Sequence, residues 1–395
     1  MWGLALLTFG LPWIRVAGVE NPYLEPKALW LTVVGWGLLL WRFFRLPDAG
    51  ARWRNPWTLW LAGWVVGTSC WRFQWLFLSR SPGQSRIIYN EYAWFAAIGV
   101  LMGLLLVQSL ATVYLRSDLL LHRLTQWMCW MALAASGYGL CQAIGWDQWY
   151  VQTHNAAYAN RVSAGFGNPG YLGIYLALIL PLFFLFSDKR YLLYALPVLL
   201  VLWLTQARYA WVGALLGILA SVTARWWTRL SRWGQRGVVV AWFLMMGGIA
   251  VAGWPWLQSD EVRLPLWSSA LATMQNVAGE TPKAALSMTG YGLNSLPLLL
   301  GESARWAHNE WVQMCVEIGV VGTLLLAGMV VWSLWRGWKA ATQSLMVSGW
   351  FGVWVAFVAI SFVHFPAHIA PIAWVGMCAW AVVEREGALH AGCIG

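Results

Sequence analysis

The hydrophobic positions of this chain fall in long blocks, separated by short polar stretches. Each block runs about 17–25 residues, the length a helix needs to cross a bilayer. Twelve are readable, at about 2–18, 28–43, 57–78, 91–115, 124–145, 170–187, 191–206, 209–224, 237–257, 309–335, 344–363 and 367–383. A transmembrane β-barrel would instead show short segments that alternate every second residue. The pattern predicts an all-α polytopic membrane protein with about 12 transmembrane helices and one large outer loop. Three regions follow: helices 1–9 over residues 1–257, a loop or cap over 258–308, and helices 10–12 with a tail over 309–395. The first block contains Pro12 and Arg15. It reads alternatively as an uncleaved, signal-like segment.

Composition narrows the classes. The chain is 60% hydrophobic and only 10% charged, where soluble domains carry about a quarter charged residues. That excludes a soluble globular protein, a disordered chain and a nucleic-acid-binding domain, so the lipid bilayer is a partner and nucleic acid is not. The formal charge of +10 is best read through loop sidedness. One alternate set of loops holds fifteen of the 25 basic residues, among them Arg52, Arg54, Arg116, Arg123, Arg225, Arg229, Arg232, Arg236, Arg336 and Lys339. The positive-inside rule assigns that set, and both termini, to the cytoplasm. The six cysteines are scattered without a CxxC, which argues against a disulfide framework or a metal knuckle. Many of the 34 tryptophans lie near block ends, where an interfacial belt takes amphipathic rings.

The cytoplasmic loops are too short for a nucleotide-binding domain, and no GxxxxGK loop is present; both argue against an ATP-driven transporter. The outer stretches 146–169 and 258–308 carry more content. The second, of roughly 50 residues, is long for an unstructured loop and too apolar for disorder. It is expected to fold as a cap, with amphipathic helices near 262–276 and 294–304.

Three outer segments each meet the start of a helix. In Arg161-Val-Ser-Ala-Gly-Phe-Gly-Asn-Pro-Gly-Tyr-Leu-Gly173, Asn168 and Pro169 read as N-cap and first helical residue. In Leu204-Thr-Gln-Ala-Arg208-Tyr-Ala-Trp-Val-Gly213, almost no loop separates two blocks, so Arg208 sits at the membrane boundary, where an ionisable group suggests function. In Arg305-Trp-Ala-His308-Asn-Glu310-Trp-Val-Gln-Met-Cys-Val-Glu317, Asn309 can cap a helix whose first turn holds Glu310. The positive helix end disfavours imidazolium at His308, leaving the form a general base needs. Glu317 lies about two turns beyond Glu310 on the same face. It is expected to pair with Arg161 or Arg208, or to neutralise an internal polar contact. Arginines at helix N-termini make a phosphate site, and a base beside it suggests transfer chemistry. Asp260-Glu261 form no DxD, so no metal and no cofactor are expected. His364 and His368 flank Pro366 without a third ligand in view; a structural or lipid-facing role is expected for them.

These segments resemble the O-antigen ligase/O-antigen polymerase superfamily of bacterial envelope proteins. The resemblance is carried by the Arg161–Gly173 and Thr205–Gly213 segments, Arg263 with Trp267, Thr289-Gly-Tyr291-Gly-Leu-Asn294, and His308-Asn-Glu-Trp-Val-Gln-Met-Cys-Val-Glu-Ile-Gly-Val-Val-Gly322. It covers about 160–335. It implies a metal-independent inverting glycosyltransferase of GT-C architecture in the bacterial inner membrane, with its active site facing the periplasm. The donor would be an undecaprenyl-pyrophosphate-linked glycan, bound by Arg161 and Arg208. His308 would activate the acceptor hydroxyl. Lipid A-core is the favoured acceptor, which would make the chain an O-antigen ligase; a glycan acceptor (a polymerase) or a protein acceptor are alternatives. Asn168, Arg263, Tyr291, Asn309, Glu310 and Glu317 would support the site. Two departures are present: Gln206-Ala207 precedes Arg208 where the family often has Ser before Arg, and Asn-Pro-Gly replaces Asn-Pro-Asn. A transporter for lipid-linked glycans is the rival of another class; it would use the same arginines and need no base.

Overall fold

The computed structural model describes residues 2–16, 25–45, 56–78, 92–115, 117–147, 160–184, 190–258, 263–276, 288–293, 295–296 and 307–389. Among these residues every regular element is helical. The helices are α1 (Trp2–Ala5, prolonged by a π-helical turn Leu6–Gly10), α2 (Glu25–Arg45), α3 (Pro56–Leu78), α4 (Tyr92–Ser109, prolonged by a π turn Leu110–Tyr114), α5 (Asp118–Ala143), α6 (Pro169–Phe183), α7 (Arg190–Leu204), α8 (Arg208–Trp226), α9 (Arg232–Gln258), α10 (Arg263–Asn276), α11 (Glu310–Ala341), α12 (Leu345–Ser361) and α13 (Ala370–Leu389). The stretches Glu25–Phe44, Ala96–Tyr114, Arg208–Arg229, Arg232–Gly253 and Glu310–Ala341 are long and apolar enough to cross a membrane. Pro169–Phe183, Arg190–Leu204 and Leu345–Ser361 are shorter apolar helices.

The first expected span is different. Its helix ends at Gly10, and a turn follows at Leu11–Trp13. Those nine residues cover about 14 Å at 1.5 Å per residue, half of a bilayer core. Pro12 ends the run because it offers no N–H to continue it. Leu4, Leu7 and Leu11 are buried in the main core, and Thr8 accepts the indole N–H of Trp374 at 3.2 Å. This segment packs into the bundle; it is not a crossing helix.

The centre is α6. It is apolar all round, as a helix surrounded by others should be, and every residue except Tyr171 is buried. Helices α5, α7, α8, α12 and α13 pack against it. Helices α8 and α12 cross where two glycines meet: a Cβ on Gly217 would lie 2.6 Å from the Gly352 carbonyl oxygen, and one on Gly352 2.4 Å from that of Gly217. Small residues let helix backbones approach this closely inside a membrane. Other tryptophans, away from the helix ends, serve this core. Trp350 donates to Thr125 Oγ1 (3.0 Å) and Trp354 to Ser333 Oγ (2.9 Å), both from buried rings. Trp226 and Trp57 are exposed, as an interfacial belt requires.

Helix α11 is broken. Gly319 has φ 73° and ψ 178°, a region that only glycine enters readily. The backbone groups freed by the break are taken up. Tyr291 N–H donates to Val316 O and Gly292 N–H to Glu317 O, both at 2.8 Å, and the Trp64 indole donates to Ile318 O at 2.9 Å. A half-helix, 310–318, is thereby clamped by the Gly290–Gly292 turn. Ala270 of α10 packs with Leu296, Ala307 and Val316, flanked by Tyr291 and Val312, as a second small core. Of the stretch expected to fold as a cap, the helix expected near 262–276 is present as α10, and 288–293 forms the turn that meets α11. The helix expected near 294–304 lies outside the described residues, apart from 295–296.

Candidate functional site

The loop before α6 positions the first segment. Ser163 N–H (3.0 Å) and Ala164 N–H (2.8 Å) donate to Gln142 Oε1. The buried Lys27 ammonium donates to Gly165 O and lies 5.2 Å from the Phe166 ring centroid. Asn168 caps α6 as expected: its side chain accepts from Gly170 N–H at 2.7 Å, with Pro169 next in line.

Arg161 joins this loop to the second segment. Its Nε donates to Thr205 O at 2.8 Å. The chain turns through Gln206 at φ 54° and enters α8 at Arg208, which is exposed. No side chain caps the first turn of α8, so its N–H groups keep the anion affinity of a helix start. Arg161 and Arg208 thus flank one short turn. Tyr209 then reaches back to α6, where a Cβ on Gly170 would lie 2.2 Å from the Tyr209 hydroxyl. Arg263, from α10, stands over the Tyr209 ring at 5.6 Å.

His308 has φ 51° and is half-buried just before α11. Asn309 caps that helix, accepting from Trp311 N–H (3.0 Å) and Val312 N–H (3.1 Å). The Trp267 indole donates to Ala307 O at 2.6 Å. Glu317 is buried and accepts from Gln313 Nε2 at 3.1 Å, an internal polar contact of the kind expected for it. Tyr291 serves the α11 break described above.

The connection between α12 and α13 also belongs to this cluster, which fits the structural rather than the lipid-facing role expected for His364 and His368. His364 is 4% exposed. Its ring stacks on Phe365 (4.5 Å), tilts against Tyr209 (5.0 Å) and meets the rings of His308 (5.7 Å) and Tyr171 (5.9 Å) edge to face. Its carbonyl accepts Glu310 N–H at 3.2 Å. His368 Nδ1 lies 3.0 Å from Glu310 Oε1. Burial, reinforced by His308 and Arg263, holds His364 well below the usual histidine range. Burial pushes His368 the same way, but the Glu310 carboxylate, with Glu317 behind it, outweighs burial and raises it. The sequence signal was a pair of histidines around Pro366 at a block end; nothing local says that they meet residue 308. Among the described residues, no group of three or more His, Cys, Asp or Glu side chains could hold a metal ion.

No protein-family model matches this chain, and no curated protein matches it significantly.

The site must therefore be read from its own geometry. Three segments distant in sequence, joined by a fourth at 364–368, place cationic side chains, helix N-termini and a half-buried imidazole at one end of the bundle. Such a mouth can hold an anionic group and accept a proton beside it.

Proposed function

We propose that the chain is a membrane-embedded inverting glycosyltransferase. It takes a glycan from an undecaprenyl-pyrophosphate donor and passes it to an acceptor hydroxyl, with lipid A-core as the favoured acceptor. The resemblance to the O-antigen ligase/polymerase superfamily suggests the class, the bacterial inner membrane, the GT-C arrangement of about 12 spans and a site facing the periplasm. The observation that carries the reading is the contact of His364 with both His308 and Tyr209, with Arg263 over the Tyr209 ring and Arg161 tied to Thr205 just ahead of Arg208.

The chemistry balances without a nucleotide. His308 takes the acceptor's hydroxyl proton, and the oxygen attacks the anomeric carbon from the face opposite the leaving group. The bond from that carbon to the pyrophosphate oxygen breaks, and its electron pair leaves with the pyrophosphate. The charge that develops there meets the arginines and the uncapped start of α8, groups fixed before reaction. The fixed φ of His308 and the rings of His364 and Phe365 hold the base.

A second reading is favoured by one observation. The break at Gly319 resembles the discontinuous helices of transporters, so a carrier of lipid-linked glycans would suit it. One experiment separates the two. Purified protein receives undecaprenyl-pyrophosphate glycan with lipid A-core, a second donor molecule or a pilin-type protein, in EDTA. Product on one acceptor is expected. His308→Ala should lower the rate ~10²–10⁴-fold, the usual contribution of a base, with donor still bound; Arg208→Ala should weaken donor binding. Donor binding without product on any acceptor would move the assignment to the carrier.

A further inference from the structure

At the end of the bundle opposite the mouth, two connections lie together. The turn from α8 to α9 and the last turns of α11 meet through Trp227 and Trp338, whose rings are 5.0 Å apart; Trp338 in turn packs on Phe351 of α12 (6.0 Å). Neither residues 225–236 nor 335–344 contain an acid, yet they hold Arg225, Arg229, Arg232, Arg236, Arg336 and Lys339. The chain treats these cations in two ways. Arg336 is buried and lies 3.7 Å from Glu384, and the nearby Arg385 is paired with Asp118. The other five have no acidic partner among the described residues. Arg229 lies over Trp226 (4.6 Å), Arg236 over Trp233 (4.9 Å) and Lys339 over Trp335 (3.7 Å). Those three rings are themselves exposed, Trp233 at 77%.

Helix α9 adds a second reason for a ligand here. None of its described side chains is buried. Its described ties to the bundle include the α8–α9 turn, Trp242, which packs on the core with its indole on Thr223 Oγ1 (3.3 Å), and a small contact with α10. A helix so weakly packed gains from anything that bridges its root to α11.

We propose that this patch is a binding site for an anionic phospholipid, whose headgroup phosphate sits among Arg229, Arg232, Arg236 and Lys339. The tryptophans lie at the level of the headgroup and glycerol, as amphipathic rings do at a membrane surface. The bound lipid bridges the root of α9 to the end of α11. The site lies at the opposite end from the proposed transfer chemistry and does not depend on it.

Native mass spectrometry of the delipidated full chain tests this with phosphatidylglycerol and phosphatidylcholine as probes. Phosphatidylglycerol should bind at least tenfold more tightly. R229Q and R236Q should each weaken it roughly fivefold, the effect of one surface cation, while R229K and R236K should retain it. Inorganic phosphate at equal concentration should not displace it, because the acyl chains and tryptophans share in the binding. Equal retention of the two lipids, unchanged binding in both Gln variants, or displacement by inorganic phosphate would each overturn the proposal. A Gln variant that fails to fold is replaced in the comparison by the exposed K339Q.

Discussion

His364 tests how far one buried ring governs the mouth. It touches the ring that follows Arg208, the ring that follows Gly170, and His308 itself. Removing it opens a cavity between three elements. His364→Ala should cut transfer at least tenfold, with the loss in kcat and little change in donor KM. His364→Phe keeps the ring packing and should recover most of the rate. Acidity offers an independent check. His364 is held low, so the unfolded chain binds its proton first, and stability falls as pH drops below about 6.5. His368 is raised, so its contribution is complete below about 6.5 and fades as pH climbs through its folded value. Melting midpoints across pH 5–8 should therefore lose their acid limb in His364→Gln and their alkaline limb in His368→Gln. Each slope is at most about 1.4 kcal/mol per pH unit. Parallel profiles in wild type and both variants would refute the assignment.

Among elements, the half-helix at the start of α11 follows directly on His308, the proposed base, and glycines decide its position. A Cβ on Gly319 would sit 2.2 Å from Met288 O, and one on Gly290 2.3 Å from Gly319 N. Gly319→Ala adds that clash to a backbone conformation costing about 1–3 kcal/mol for other residues. We expect its melting midpoint to fall by several degrees. The amides of Tyr291 and Gly292 should lose hydrogen-exchange protection before the rest of α11 does. The α8–α12 crossing acts on the site at longer range. Gly352→Ala pushes α12 away from α8, an overpacking cost of about 1–3 kcal/mol. Nine residues further on, α12 ends at Ser361 beside His364. Donor binding should weaken in this variant although no donor-facing group has changed; unchanged binding would show that the crossing and the mouth are uncoupled.

At the scale of the whole molecule, the short first helix bears on the expected sidedness. If the other eleven expected spans all cross and α1 packs inside the bundle, the two termini lie on opposite sides of the membrane. The charge rule keeps the carboxyl-terminus with the arginine-rich loops. A single-cysteine label placed at residue 2 should react with a membrane-impermeant reagent from the outer face, and one placed near residue 395 only after permeabilisation. Labelling of both only after permeabilisation would restore residues 2–18 as a spanning helix.

Much of this chain was legible in its sequence, because a bilayer imposes one local rule: long apolar helices with satisfied backbones. The block pattern therefore located helices α2 to α9 and α11 to α13, with ends of α5, α9, α11 and α13 displaced by five or six residues. The Asn168 and Asn309 caps were equally readable, since capping is a matter of two or three neighbouring residues. Arg161, Arg208 and His308 stood out for their chemistry at helix starts. Three things were decided only by tertiary structure. Residues 2–10 stop short and pack inward, because burial of Leu4, Leu7 and Leu11 against the bundle replaces burial in lipid. The break at Gly319 exists because a segment nearly thirty residues upstream supplies the donors that a broken helix requires. His364 meets His308 across the bundle, where the backbones of α8 and α12 approach at Gly217 and Gly352 and Glu310 N–H donates to His364 O, contacts that no local window contains.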